Sequence, residues 1–156
     1  FEPREVEKEK LIELLKAGMA APSANNGRPW EFIVVTDEER LAKLRSSLKH
    51  GHYKAPAAIA VLGNLKISTS KESSTRFWIQ DCTAATENIL LAATGLGLGS
   101  VWIGAYPKED VTKAAREILE IPEDIYVLSL IYVGYPAEKH PPRTQYEEKR
   151  VHWQKY

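Results

Sequence analysis

Residues Ala21 to Val35 read APSANNGRPWEFIVV, and along them the chain passes from a helical period to a solid apolar run through a cluster of turn formers. Upstream, Leu11, Ile12, Leu14, Leu15, Gly18 and Met19 recur at the i, i+3, i+4, i+7 spacing of a half-buried helix, while Trp30 to Val35 reads as a strand. Proline biases the residue before it away from the α region. Pro22 therefore ends a helix that spans about Val6 to Ala21, and Pro29 keeps the strand from starting before about Trp30. Between them lie Ser23, Asn25, Asn26, Gly27 and Arg28. Their hydroxyl, amide and guanidinium groups, on a backbone tolerant of unusual dihedrals, suit a loop that hydrogen-bonds a ligand. They suit an ordinary polar helix-to-strand connection equally well.

Working outward, Thr36-Asp37-Glu38-Glu39 carries a capping-box pattern, with Thr36 as N-cap and Glu39 at N3, opening a helix with Leu41, Leu44 and Leu48 on one face and an end near Lys49. His50-Gly51-His52-Tyr53 turns the chain into AAIAVLGN, a continuous run of small and β-branched residues that reads as a central strand. The polar stretch Lys66 to Thr75 reads as a surface loop. From Phe77 to about Thr94 the residues are nearly all apolar or small, which predicts a helix buried over most of its circumference, either inside this chain or against a second subunit. Gly95, Gly97 and Gly99 end it. A short strand from Val101 to Gly104 follows, then a helix with Pro107 at N1 and a buried stripe of Val111, Ala114, Ala115, Ile118 and Leu119. Ile125 to Val133 is the last strand, and the tail after Pro136 has no core of its own. Helices alternate with strands at irregular spacings, which favours an α+β layer arrangement over a doubly wound parallel sheet.

A chain of 156 residues accommodates one domain and one core. Its 21 basic and 21 acidic residues leave no electrostatic footprint for nucleic acid or an anionic membrane, and no apolar run reaches the ~20 residues of a membrane helix. The single cysteine excludes an internal disulfide, which fits a reducing compartment such as the cytoplasm. No signal peptide stands at the start, although the string opens on Phe1 and not on Met.

GLGLGS superficially matches a dinucleotide fingerprint, but that motif follows a strand and opens a helix, whereas here a helix precedes and a strand follows. The glycines serve a helix stop and close packing. Cys82, inside an apolar helix, reads as a buried small hydrophobe with no chemistry. His50 and His52 lack Cys, Asp or Glu partners at ligand-like spacing, so no metal is expected, and no nucleophile elbow or Walker-type loop occurs.

PSANNGRPW resembles the Pro-Ser-x-x-Asn-x-Gln-Pro-Trp signature of the nitroreductase-like FMN-dependent oxidoreductases. Phe77 to Gly104 resembles that family's long central helix and Gly-rich turn, and GYPAEKHPPR (Gly134 to Arg143) followed by VHW resembles its C-terminal basic segment. The three matches occur in register across nearly the whole chain. The resemblance implies a single nitroreductase-like domain over 1–156 with a mixed or antiparallel central sheet flanked by helices and a long buried central helix. It implies FMN as cofactor, NAD(P)H and a small electron-poor acceptor (a nitroaromatic, a quinone or a flavin) as reaction partners, a ping-pong sequence, and a homodimer.

By the same resemblance Pro22, Ser23 and Asn26 lie against the isoalloxazine held by the partner subunit, with Asn25 and Arg28 in the same cofactor-binding loop. Backbone at Ile103, Gly104 and Ala105 approaches the ring, and Arg143 reaches the ribityl phosphate. No side chain is assigned a catalytic role, because the flavin carries the chemistry. Each of these residues also has a plain structural reading: the loop caps and turns, and Arg143 is a solvated tail charge. Two departures stand out. Arg28 occupies the position of the family's Gln and Glu87 that of a Gln frequent in the long helix, and the family's Arg-Arg-Ser-x-Arg segment, expected just before Phe1, is not in this string. They support a second reading, an FMN-binding storage or sensing protein without useful turnover.

Overall fold

The run AAIAVLG forms the strand against which the rest of the chain packs, every residue of it buried. The computed structural model describes residues 1–141 and 143–156. Its elements run α1 (Lys8–Met19), a 3-10 turn (Ala24–Asn26), β1 (Trp30–Val35), α2 (Glu38–Ser46), β2 (Ala57–Gly63), α3 (Lys71–Gly95), β3 (Gly99–Gly104), α4 (Glu109–Leu119), β4 (Tyr126–Gly134) and a second 3-10 turn (Glu148–Arg150). The four strands stand in the order β1-β2-β4-β3, and all three pairings are antiparallel. The expected α+β arrangement is thus present in its antiparallel form.

Two helical layers cover the sheet. Ala57, Ile59, Val61, Ile131 and Val133 pack with Leu11 and Leu14 of α1 and with Trp78, Cys82, Ala85 and Ile89 of α3. Ala58, Ala60, Leu62, Leu130 and Tyr132 face Leu41 and Leu44 of α2 and Val111, Ala115 and Leu119 of α4. Burial on both faces explains why β2 reads as a solid apolar run with no period of two, and each large aliphatic side chain so enclosed contributes roughly 1.5–3 kcal/mol. The β2–β4 ladder carries one irregularity: Val61 pairs with Ser129 but Leu62 with Val127, which leaves Leu128 as an extra residue. Its carbonyl accepts from both Ala105 N and Tyr106 N at 3.1 Å, fixing the chain where β3 ends.

Several boundaries differ from expectation for local reasons. The α2 N-cap is Asp37, one residue later than Thr36, because the Asp37 Oδ1 accepts from Arg40 N at 2.9 Å. That helix stops at Ser46, before Lys49, where the hydroxyls of Ser46 and Ser47 donate back to Lys43 O and Leu44 O. His52 lies within hydrogen-bonding distance of Arg45 O and Lys49 O, a role in closing the helix end.

The stretch 71–75 read as loop is the first turn of α3, whose opening residues KESSTR are polar; Ser73 and Ser74 are nevertheless buried. Pro107 precedes α4 instead of starting it: Lys108 N closes a turn onto Ala105 O across a cis Tyr106–Pro107 peptide, and the helix begins at Glu109. One protomer does not enclose α3 either, since Leu91 is 62% and Phe77 44% exposed. The glycine-rich end of α3 is a Schellman stop. Gly97 takes φ +72°, Leu98 N bonds Ala93 O at 2.8 Å and Gly97 N bonds Thr94 O at 3.1 Å.

Before α1 the chain is tied to the end of β4. Glu2 N donates to Tyr135 O at 2.8 Å, the Arg4 guanidinium sits 3.8 Å over the Tyr135 ring, and the Tyr135 hydroxyl donates to Glu7 Oε2 at 2.6 Å. That hydroxyl, Glu7's own backbone and Arg4 hold the Glu7 carboxyl down at about 2. Beyond Pro136 the described residues are exposed save the half-buried Glu147, with Trp153 at 77%. Among the described residues no helix is long and apolar enough to cross a membrane.

Candidate functional site

The α1–β1 connection is built like a small clasp. After α1, Asn88 of α3 donates to Ala17 O at 3.0 Å, and Pro22 and the extended Ser23 lead into the Ala24–Asn26 turn, closed by Asn26 N to Ser23 O and Gly27 N to Ala24 O. Asn25, Asn26 and Arg28 all take left-handed backbone, at φ 49°, 53° and 49°. Asparagine tolerates that region because its short amide satisfies backbone locally; a side chain such as arginine adopts it only where the surroundings leave no alternative.

Those surroundings come from α3 and the segment before it. Ala24 N donates to Asp81 Oδ1 at 2.8 Å, Asn25 Nδ2 donates to Ser73 Oγ at 2.6 Å, and Thr69 Oγ1 donates to Asn26 O at 2.8 Å. The Gly27 carbonyl accepts from Ser68 Oγ at 3.0 Å and from Thr69 N at 3.1 Å, while Ser68 and Ser74 share a short hydroxyl contact. Gly27 is needed for space: a Cβ there would come within 2.7 Å of Ser74 Oγ and 2.9 Å of Ser68 Oγ. Within the loop, Arg28 N donates to Ser23 Oγ at 3.0 Å and Arg28 Nε reaches Asn26 O at 3.4 Å.

This inventory separates groups that hold the loop from groups left for something else. Ser23 Oγ accepts from the backbone but keeps its own proton to donate, and the Asn26 side chain and the ends of the Arg28 guanidinium have no protein partner among the described residues. Asn25, by contrast, has its amide nitrogen committed to Ser73. Ser23 is half-buried, and Asn26 and Arg28 are exposed.

The other expected site residues lie elsewhere on the protomer. Ile103 and Gly104 line a hollow of about 320 Å³ with Leu48, Lys49 and Lys108, and a Cβ on Gly104 would touch nothing within 4 Å. Ala105 N is already spent on Leu128 O. Arg143 lies at the opposite end of β3, in a depression with Phe1, Gly99, Ser100 and Val101. The six residues of β3 set those ends about 17 Å apart. α3 runs between the loop and the end of β3: Asp81 grips the loop, and Trp78, three residues earlier, meets Tyr106 edge-on at 5.0 Å and stacks on Tyr126 at 4.7 Å.

The charges near the loop are unusual. Asp81 is 4% exposed and its Oδ2 has no partner, and burial pushes its carboxyl above the ordinary range against the smaller opposing effect of the Ala24 N–H. Burial, aided by Asp81, pushes the neighbouring Cys82 thiol up to about 12, which removes it as a nucleophile at neutral pH.

A family model described as the nitroreductase family matches residues 1–51 and 47–135. An Archaeoglobus fulgidus protein, provisionally named NADH dehydrogenase/NAD(P)H nitroreductase, is 44% identical over 161 residues, covering 100% of this chain and 91% of its own length. The chain belongs to the nitroreductase family. Solved structures agree. A provisionally named NADH oxidase from Clostridium acetobutylicum superposes with TM-score 0.92 at 40% identity, covering 100% of this chain and 93% of the other. An FMN-dependent nitroreductase from Clostridium difficile R20291 superposes with TM-score 0.88 at 34% identity, covering 100% and 92%.

The signature residues form the connection between α1 and β1, but the residues that shape it, Asp81, Ser73, Ser74, Ser68 and Thr69, carry no motif of their own in the sequence. A signal for Asp81 was present: it is the one acid between Phe77 and Thr86, in a stretch otherwise apolar or small save for Gln80 and Thr83. A lone carboxylate on a buried helix needs a partner.

Proposed function

We propose that residues 1–156 form one FMN-dependent nitroreductase domain that passes reducing equivalents from NAD(P)H to a small electron-poor acceptor such as a nitroaromatic, quinone or flavin, by a ping-pong sequence in the cytoplasm. The observation that carries this reading is the preformed loop with three groups that keep free hydrogen-bonding capacity among the described residues: the Ser23 hydroxyl proton, the Asn26 amide and the ends of the Arg28 guanidinium. The donor set fits a flavin: neutral donors and a cation match the ring edge that gains negative charge on reduction, Arg143 matches a phosphate, and Gly104 leaves open space for a flat ring. The Clostridium difficile relative, by name FMN-dependent, supports the same cofactor.

Bound FMN supplies the exchange of hydride and single electrons between nicotinamide and acceptor. The chain's own part is binding and electrostatics. Ser23 and Asn26 would hold the polar edge of the ring, each such hydrogen bond contributing about 1 kcal/mol, and Arg28 would favour added negative charge there. Pro22 and Asn25 keep the loop in shape, Ile103 would wall the site with the fully buried Ala105 behind it, and Arg143 would hold the phosphate. Since Arg143 and the Pro22–Arg28 loop lie apart on one protomer, a complete site joins two copies, and the exposed apolar side chains of α3 supply a surface for that homodimer.

The test is NAD(P)H oxidation by purified protein with added FMN and menadione or nitrofurazone. Turnover well above that of free FMN, with a visible flavin spectrum on the protein after desalting, supports the enzyme. A retained flavin spectrum without turnover would favour the storage or sensing reading that Arg28 raises. Neither spectrum nor turnover would end both.

A further inference from the structure

Ser74, Asp81 and Asn88 stand seven residues apart on α3, so that nearly two helical turns separate each from the next and all three share one face. Each reaches the α1–β1 connection. Asn88 holds the last turn of α1 at Ala17 O, Asp81 takes the Ala24 N–H at the mouth of the 3-10 turn, and Ser74 meets Ser68, which caps the Gly27 carbonyl. The connection is thus held against this face before its start, at its turn and, through Ser68, at Gly27. It also contains three non-glycine residues in left-handed backbone, a state that persists only where neighbours over-determine it.

Asp81 is the member of this face that bonds the loop backbone directly at the turn. It is almost wholly buried, and its second oxygen bonds nothing. A carboxylate in that position is not explained by core packing, where a small apolar residue would cost less. We infer that Asp81 is a positioning residue: by accepting the Ala24 N–H it fixes the left-handed Asn25–Asn26 turn, and so the direction in which the Ser23 hydroxyl and Asn26 amide are offered to the flavin. The inference rests on the FMN reading of the loop. Asp81 touches no ligand itself; it acts through Ala24.

Three variants of the full chain test this beside wild type. Asp81→Ala removes the acceptor, Asp81→Asn keeps an oxygen for Ala24 N, and Asn88→Ala removes a hydrogen bond from the same face at the α1 end. A fourth, Ala24→Pro, removes the donor and sets a ring carbon toward Asp81 Oδ1; Ser23 is already extended at ψ 155°, as a residue before proline prefers, so this variant breaks the same contact from the loop side if Asp81→Ala does not fold. The readouts are FMN affinity by fluorescence quenching, visible circular dichroism of the bound flavin, amide exchange at Ala24 and Arg28 in the apoprotein, and melting temperature.

Asp81→Ala and Ala24→Pro are expected to weaken FMN about tenfold or more and to change the dichroism of whatever flavin binds. Arg28 exchanges faster in both, and Ala24 exchanges faster in Asp81→Ala. Asp81→Asn stays near wild type in affinity, and Asn88→Ala melts earlier with FMN affinity unchanged. Wild-type affinity in Asp81→Ala or Ala24→Pro overturns the inference. So does an Asp81→Asn protein as weak as Asp81→Ala, or an Asn88→Ala protein that loses FMN in proportion to its stability. A wild-type chain that leaves FMN unbound overturns the reading of the site itself, and the inference with it.

Discussion

Ser23 and Asn26 occupy one loop but have different obligations. Ser23 Oγ accepts the Arg28 amide at 3.0 Å, whereas the Asn26 side chain bonds nothing in the protein among the described residues. Asn26→Gly, which removes the amide but tolerates φ 53°, is therefore expected to weaken FMN about fivefold with a nearly unchanged apoprotein melting temperature, while Ser23→Ala weakens FMN and also costs about 1 kcal/mol of apoprotein stability. Titration of FMN into each variant, with melts of the apo forms, checks the split; equal losses of stability would show that Asn26 is structural after all.

Two carboxyls set opposite pH trends. Glu7, held at about 2 against a usual 4.5, contributes stability that is fully present above pH 4.5 and lost as pH falls through about 2. Asp81, raised above its usual 3.8 by burial, contributes stability that is present below that value and lost as pH rises through its folded pKa. Melts across acid pH should show Glu7→Gln weaker than wild type near neutrality and converging with it toward pH 2. Asp81→Asn should gain on wild type as pH rises from 3 to 7. A parallel offset at all pH values for either variant would contradict its assigned shift.

Among the elements, those bounded by backbone chemistry were legible from sequence and those bounded by tertiary hydrogen bonds were not. Pro29 and the apolar run after it located β1 at Trp30–Val35, as found. The start of α3 was missed because Ser73 and Ser74 are buried through their hydroxyls, which a hydropathy pattern cannot register. The α2 cap fell one residue off because Thr36 and Asp37 both suit the role and only geometry chooses. Asp81's grip on Ala24 spans 57 positions along the chain, beyond any local pattern. The glycine-rich stop of α3 was legible by its order of elements, and it carries its own test. Gly97→Ala meets no neighbour but must hold φ +72°, so the expected loss is about 1 kcal/mol, read as a fall of roughly 2–4 °C in melting temperature. A larger loss would point to a contact this protomer does not make.

At the scale of the whole molecule, one protomer divides the expected cofactor residues. The Pro22–Arg28 loop is gripped by α3, Arg143 lies by Gly99–Val101, and α3 leaves Phe77 and Leu91 uncovered. If a second copy covers that helix, Leu91→Glu should shift light scattering from dimer to monomer and lower FMN affinity at least tenfold in the same concentration range, although Leu91 bonds nothing in the loop. A Leu91→Glu monomer with wild-type FMN affinity would place the whole site on one chain.

The seven-residue spacing of Ser74, Asp81 and Asn88 also limits how the gene can change length. Removing one residue between Ser74 and Asp81 leaves a sound helix but turns everything before the deletion by about 100° relative to the rest, swinging Ser74 off the loop while Asp81 stays. Removing seven along the helix would bring the angle back to within about 20° but draw its ends about 10 Å together, so the direction recovers and the height does not. The stretch between Ser74 and Asp81 is thus expected to accept substitutions but no change of length, and a library of α3 deletions scored for flavin retention should lose binding at every length removed there.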